Sequence, residues 1–150
     1  MILVIVTTLL IAYAMTTVVV YRQNVGVMER EIRQEAQYIK AGLRDAGEGY
    51  LDEAASVQKE TRLTLIGQDG QVLYDSEHTD EATLENHKNR PEVRQAVNLG
   101  EGQDVRRSDT LEQEMFYYAL RLDDGTILRV ARSMDSVLRT ALEVLPGMTI

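Results

Sequence analysis

An α+β domain behind a long N-terminal helix is what this sequence predicts, and three observations predict it. The first 21 residues, Met1 to Tyr21, hold no Asp, Glu, Lys, Arg, His, Asn or Gln, and the run after them repeats apolar residues at spacings of three and four. Two Asp-Gly pairs, Asp69-Gly70 and Asp124-Gly125, each sit between stretches of alternating or continuous apolar character. Between those two turns lies a segment that begins with Pro91, keeps a helical period and stops at Gly100. Tight hairpins force antiparallel neighbours, and helical material inserted between hairpins must hide its apolar side on a sheet face.

Residues 1–21 are expected to be a transmembrane helix. At about 1.5 Å per residue they reach roughly 31 Å, which matches a hydrocarbon core of about 30 Å. Thr7, Thr8, Thr16 and Thr17 are the polar interruptions, and their hydroxyls can bond back to helix carbonyls. Ala12-Tyr13-Ala14 has the small-x-small form of a signal-peptide cleavage site, which is the competing reading. A retained anchor accounts better for a run with no Lys or Arg ahead of it that continues through Val18-Val19-Val20. The missing basic flank leads us to expect further residues ahead of Met1, so loop charge does not orient the helix.

Residues 22–57 read as a membrane-proximal helix for signalling and dimerisation. Val25, Met28, Ile32, Ala36, Ile39 and Leu43 form its stripe; the helix is expected to loosen near Gly42, Gly47 and Gly49 and to resume from Tyr50 to Val57. The stripe suits two ends equally, covering the domain's own sheet or pairing with a second copy in a parallel coiled coil.

Residues 58–134 are the compact domain. Arg62-Leu63-Thr64-Leu65-Ile66 alternates, Asp69-Gly70 turns the chain, and Val72-Leu73-Tyr74 returns it. Asp75 and Ser76 end the hairpin by capping free N–H groups, and a polar crossover follows from Glu77 to Asn89. Pro91 to Leu99 is a helix with proline at its first position and Gly100 as its stop. Val105 to Ser108, Met115 to Leu122 and Ile127 to Ala131 are three more strands, the last two joined at Asp124-Gly125. Residues 135–150 regain a helical period and are expected to lead into a truncated second membrane segment.

The formal charge of -8 falls wholly on residues 22–150, so the extramembrane part is acidic and nucleic acid is not an expected partner. Its roughly 129 residues suffice for one core. With no cysteine there is no disulfide, no thiolate metal site and no cysteine nucleophile.

Among polar residues, Arg90, Arg107, Ser108, Tyr117 and Arg129 are the candidate small-ligand contacts, with Arg132 and Tyr118 beside them. Forked guanidinium donors and phenol hydroxyls suit carboxylate or phosphate. The competing role for these arginines is structural pairing with Asp or Glu. Strand alternation puts Phe116, Tyr118, Leu120 and Leu122 on one face and Tyr117 and Ala119 on the other, so Tyr117 suits a pocket and Tyr118 the core. His78, His87, Asp75, Asp80, Glu81 and Glu85 offer nitrogen and oxygen ligands, but their spacing fits no compact metal site; surface and capping roles are expected. No catalytic group is assigned: Ser76, His78 and Asp75 are only sequence neighbours, and no glycine-rich phosphate loop is present.

Taken in order, Arg62 to Ile66, Asp69-Gly70-Gln71-Val72-Leu73-Tyr74-Asp75-Ser76, Asn86-His87, Arg90-Pro91-Glu92-Val93, Arg107-Ser108-x-Thr110, Met115-x-Tyr117-x-Ala119 and Leu128-Arg129-Val130-Ala131 resemble the extracytoplasmic PAS-like domain of PhoR-type sensor histidine kinases. The likeness spans about residues 61–133. It implies a PAS-like five-stranded antiparallel sheet, a homodimer, and a parent protein with a second membrane helix, a phosphotransfer-histidine domain and an ATP-binding kinase domain. ATP and magnesium would then belong to that absent part, with no cofactor here, and a response regulator would be the downstream partner.

The expected function is an extracytoplasmic sensor in the bacterial cell membrane, detecting a small ligand or an envelope protein and transmitting through a helical dimer. The ectodomain of a chemoreceptor or of a cyclic-dinucleotide synthase, or a non-enzymatic envelope interaction module, are the alternatives.

Overall fold

The computed structural model describes residues 1–77, 85–108 and 113–135. Its elements in order are α1 (Ile2–Ala46), α2 (Tyr50–Val57), β1 (Thr61–Ile66), β2 (Val72–Asp75), α3 (Pro91–Leu99), β3 (Glu101–Arg107), β4 (Glu114–Arg121) and β5 (Ile127–Ser133). The chain divides into two units, one containing Met1–Arg30 and the other Glu31–Ser133.

In the first unit α1 is long and apolar enough to cross a membrane, and none of its most apolar window is buried. Thr7 and Thr8 both donate to the Val4 carbonyl at 2.9 and 2.8 Å; Thr16 and Thr17 donate to Ala12 and Tyr13, each at 2.9 Å. Each hydroxyl therefore has its partner inside the helix and none requires water.

In the second unit the five strands form one antiparallel sheet in the order β2-β1-β5-β4-β3. Both Asp-Gly turns carry the positive φ that glycine adopts freely, 89° at Gly70 and 85° at Gly125. Gly100, at φ 94°, closes α3 in the left-handed conformation.

Register decides which residues share a face. Leu63 pairs with Val130, Tyr118 with Val130 and Leu120 with Leu128, and these side chains are buried on the side of α1 and α2, with Ile32, Ala36, Ile39, Leu51 and Ala54. The α1 stripe between residues 31 and 46 is therefore taken up by its own sheet. Thr64 pairs with Arg129 and Ala119 with Arg129, which places these on the opposite face under α3. There Ile66, Val93, Ala96, Ala119 and Ile127 form an apolar cluster, and Met115, Tyr117 and Ala131 a second one.

Three local expectations differ from what is observed. Helix α1 does not loosen at Gly42 but runs to Ala46; a Cβ at Gly42 would collide with the ring of Tyr50, so the glycine makes room for that tyrosine, and the helix ends at Gly47 with φ 75°. Strand β3 begins at Glu101 and not at Val105, because Gly102 lets α3 lie against it: a Cβ there would meet the Glu92 carbonyl and the Ala96 amide. All six residues of β1 are buried, so the polar alternation at Arg62 and Thr64 does not mark solvent. The expected helix beyond Asp135 lies outside the described residues.

Candidate functional site

The α3 face of the sheet holds a buried set of charges. Arg62 reaches Asp75 with Nε at 3.1 Å from both carboxylate oxygens and Nη2 at 3.0 Å from Oδ2. The Thr64 hydroxyl donates to the same Oδ2 at 3.0 Å and accepts from Arg129 Nη2 at 3.2 Å. Across the sheet, Arg106 holds Glu92 bidentately at 2.6 and 2.9 Å and also donates to Asp104 at 2.8 Å. The Tyr117 ring lies between two guanidinium groups, 4.0 Å from that of Arg106 and 5.2 Å from that of Arg129.

Strand and helix chemistry place these groups. Arg62, Thr64, Arg129 and Tyr117 sit at inward positions of β1, β5 and β4, two residues apart along a strand or paired across it. Glu92 is the residue after Pro91 in the first turn of α3, where a carboxylate also favours the helix dipole. The Asp69-Gly70 turn positions His87: the Gly70 carbonyl accepts its N–H at 2.8 Å, and Asn86 Nδ2 donates to the Asp69 carbonyl at 3.0 Å.

Burial and charge act against each other here. Burial opposes ionisation of Asp75, but the hydrogen bonds and charge of Arg62 outweigh it and hold the carboxyl below its usual range. Glu92 behaves alike, with Arg106 as the stronger influence. Burial pushes the Arg129 guanidinium down, and Glu92, at 3.5 Å, only partly opposes this because it is committed to Arg106. His87 is pushed down to about 4, first by burial and then by the charges of Arg129 and Arg90, so it is neutral at pH 7. Among the described residues, Arg129 Nε and His87 Nδ1 are buried without a hydrogen-bond partner.

Of the residues picked out from sequence, the structure brings Arg129 and Tyr117 together. Ser108 is buried at the end of β3, its N–H donating to the Gln113 carbonyl at 2.7 Å. Arg90 is the N-cap residue of α3, half-buried, 3.6 Å from Glu85 and near enough for its charge to act on His87. Arg107 does not join them; it faces the other side of the sheet, exposed and in register with Glu114. Tyr118 lies on that side too, buried, its hydroxyl donating to Glu101. Arg132 likewise turns away, toward Glu31 and Glu35 of α1.

His87 is a correction: a surface or capping role was expected, and it is 7% exposed. Of the other candidate metal ligands, Asp75 is committed to Arg62 and Thr64, while His78, Asp80 and Glu81 lie outside the described residues. Sequence reasoning missed Arg106 altogether, used Glu92 only within the stretch from Arg90 to Val93, and used Arg62 only as a strand residue. The available signal was the Arg-x-Thr of β1 facing Asp75 across the turn of residues 67–71, a pattern that makes sense only if both strands are covered.

The sequence matches the family model described as Single Cache-like over residues 20–127. No curated protein matches it. Among solved structures, the sensor domain of the V. cholerae histidine kinase DctB aligns with a TM-score of 0.64 at 15% identity, covering 90% of this chain and 59% of that one. The extracellular domain of rpHK1S-Z16 aligns with a TM-score of 0.47 at 19% identity, covering 60% of this chain and 39% of that one. The chain thus spans less than two thirds of either.

Proposed function

Because this chain belongs to the single Cache-like family, we propose that it is the extracytoplasmic sensor part of a membrane-bound two-component histidine kinase of the PhoR type, tethered by α1. The observation that carries the reading is the α3-face centre, in which Arg129 and His87 are buried with a nitrogen each left without a partner among the described residues. A buried donor without an acceptor costs about 1–3 kcal/mol, and a small carboxylate or phosphate would supply the acceptor and complete the neutralisation of Arg129. Tyr117 would form one wall of that site. The competing role, structural pairing, fits Arg62 with Asp75 and Arg106 with Glu92, whose geometries are already complete.

A ligand moves an equilibrium only by binding one state better than another. Strand β5 gives such a ligand a route: Arg129 faces α3, and three residues on, Arg132 faces α1 and holds Glu31 and Glu35 at 3.1 and 3.0 Å. Tightening around Arg129 would shift β5 against α1, whose helix would carry the change into a homodimer and across the membrane. The kinase output, its ATP and magnesium, and a response regulator as partner are part of this proposal; what supports it is that the DctB sensor domain, which shares the fold, is that of a histidine kinase.

Two measurements test this. Malonate and inorganic phosphate, titrated into the detergent-solubilised chain, should raise its melting temperature, and Arg129→Gln should abolish the rise; absence of any rise with either anion removes the ligand reading. Membranes containing the full-length gene product should form acid-labile phosphohistidine from ATP. If they do not, and the sequence after Ile150 encodes a methyl-accepting hairpin or a cyclase motif, the kinase assignment fails.

A further inference from the structure

On the other side of the sheet from Arg129, α1 and α2 enclose a groove of about 440 Å³, within the ~300–1,000 Å³ usual for small-ligand sites. Its walls are aromatic and apolar: Tyr38 and Tyr50 with Ile39, Ala54 and Val57. Tyr38 and Val57 are each 74% exposed, so the rim stands open.

The charges along the groove do not balance. Three carboxylates, Glu31, Glu35 and Glu53, face one arginine. Arg132 spends its two terminal nitrogens, with Nη1 on Glu31 at 3.1 Å and Nη2 on Glu35 Oε2 at 3.0 Å and on the Thr61 hydroxyl at 3.3 Å, while its Nε is buried without a hydrogen-bond partner among the described residues. That leaves Glu35 Oε1, on a side chain only 8% exposed, with no hydrogen-bond partner among the described residues. The Glu53 carboxylate likewise forms no ion pair there. Burial, with the neighbouring charge of Glu31, holds the Glu35 carboxyl above its usual range despite Arg132 and the Thr61 hydroxyl, so its charged form is disfavoured as the groove stands.

We propose that this groove is a second ligand site and that it takes an aliphatic diammonium cation, with one ammonium donating to the buried Glu35 and to the exposed Glu31 beside it, the other meeting Glu53, and the chain lying against the tyrosine rings. Ammonium groups supply the N–H donors that Glu35 lacks, and the rings favour a cation over their faces. A divalent metal fits less well, because a hard ion needs several converging oxygens, and among the described residues no group of three or more His, Asp or Glu is placed to hold one.

The test is calorimetric titration of 1,4-diaminobutane into the full chain in detergent micelles, with butylamine and magnesium chloride as comparisons. Saturable one-to-one binding is expected, weakened about fivefold or more by Glu53→Gln and by Tyr38→Ala. Both residues are exposed, and an unchanged far-UV circular dichroism spectrum establishes that each variant folds. Butylamine should bind more weakly than the diamine. No saturable heat, binding indifferent to both substitutions, or displacement by magnesium at equal concentration would each overturn the proposal.

Discussion

Glu92 carries more than its own pair. It is fully buried, holds Arg106 bidentately and lies 3.5 Å from the buried Arg129, so Glu92→Ala strands the Arg129 guanidinium and leaves the half-buried Arg106 with Asp104 alone. Removing one partner of a buried ion pair costs about 3–5 kcal/mol, and urea unfolding of the detergent-solubilised chain followed by tyrosine fluorescence should show a loss of that order. His87 gives a second signature. Its folded pKa of about 4 lies below the ordinary 6.5, so between those values the unfolded chain binds a proton that the folded one refuses. The stability this group contributes is complete above about pH 6.5 and is lost as pH falls toward 4, and His87→Gln should flatten that part of the stability-versus-pH curve. Asp75 and Glu92, whose carboxyls are held low, lose their contribution at still lower pH, as it falls below the ordinary carboxylate range through their depressed folded values. An anion bound at Arg129 should shift the His87 transition upward; a transition unmoved by malonate would separate the two groups.

At the level of elements, two glycines set how closely helices approach. Gly102 has no room for a methyl group between β3 and the backbone of α3, at a position whose φ is ordinary, so Gly102→Ala acts through crowding alone. Overpacking of that kind costs about 1–3 kcal/mol, and because α3 carries Glu92 the substitution should also weaken any anion binding at Arg129. Gly42 makes the matching space for the Tyr50 ring on the other side of the sheet, and Gly42→Ala should move Tyr50 and lower diamine affinity while leaving anion binding intact. Hairpin positions, the Pro-to-Gly limits of α3 and the alternation of β4 were legible in the sequence because local chemistry fixes them: positive φ at Gly70 and Gly125, a missing N–H at Pro91, a two-residue period in Glu114–Arg121. The buried state of Arg62, Thr64 and His87 was not, because each lies in a polar local context and is covered by segments distant in the chain.

For the molecule as a whole, the stripe on α1 decides where a dimer seam can lie. Ile32, Ala36 and Ile39 are buried with the sheet's apolar side chains, so a helix pair must use the face turned outward, on which Gln34, Gln37 and Ala41 recur at spacings of three and four. Single cysteines at those three positions in membranes should crosslink, whereas cysteines at Ile32, Ala36 and Ile39 should not. Crosslinking of equal yield at both sets would remove a defined seam.

By itself the sequence determined the apolar stretch long enough to cross a bilayer, the acidic cysteine-free domain behind it, and two antiparallel hairpins with one helix between them. Those properties follow from composition, period and turn chemistry, each of which acts over a few neighbouring residues. Only the tertiary structure decided that Arg62, Glu92, Arg106 and Arg129 share one buried face, that Arg107 does not, and that Arg132 turns to α1. A strand's two faces are interchangeable until register and covering helices distinguish them, and a charged side chain becomes a buried one only through residues far away along the chain.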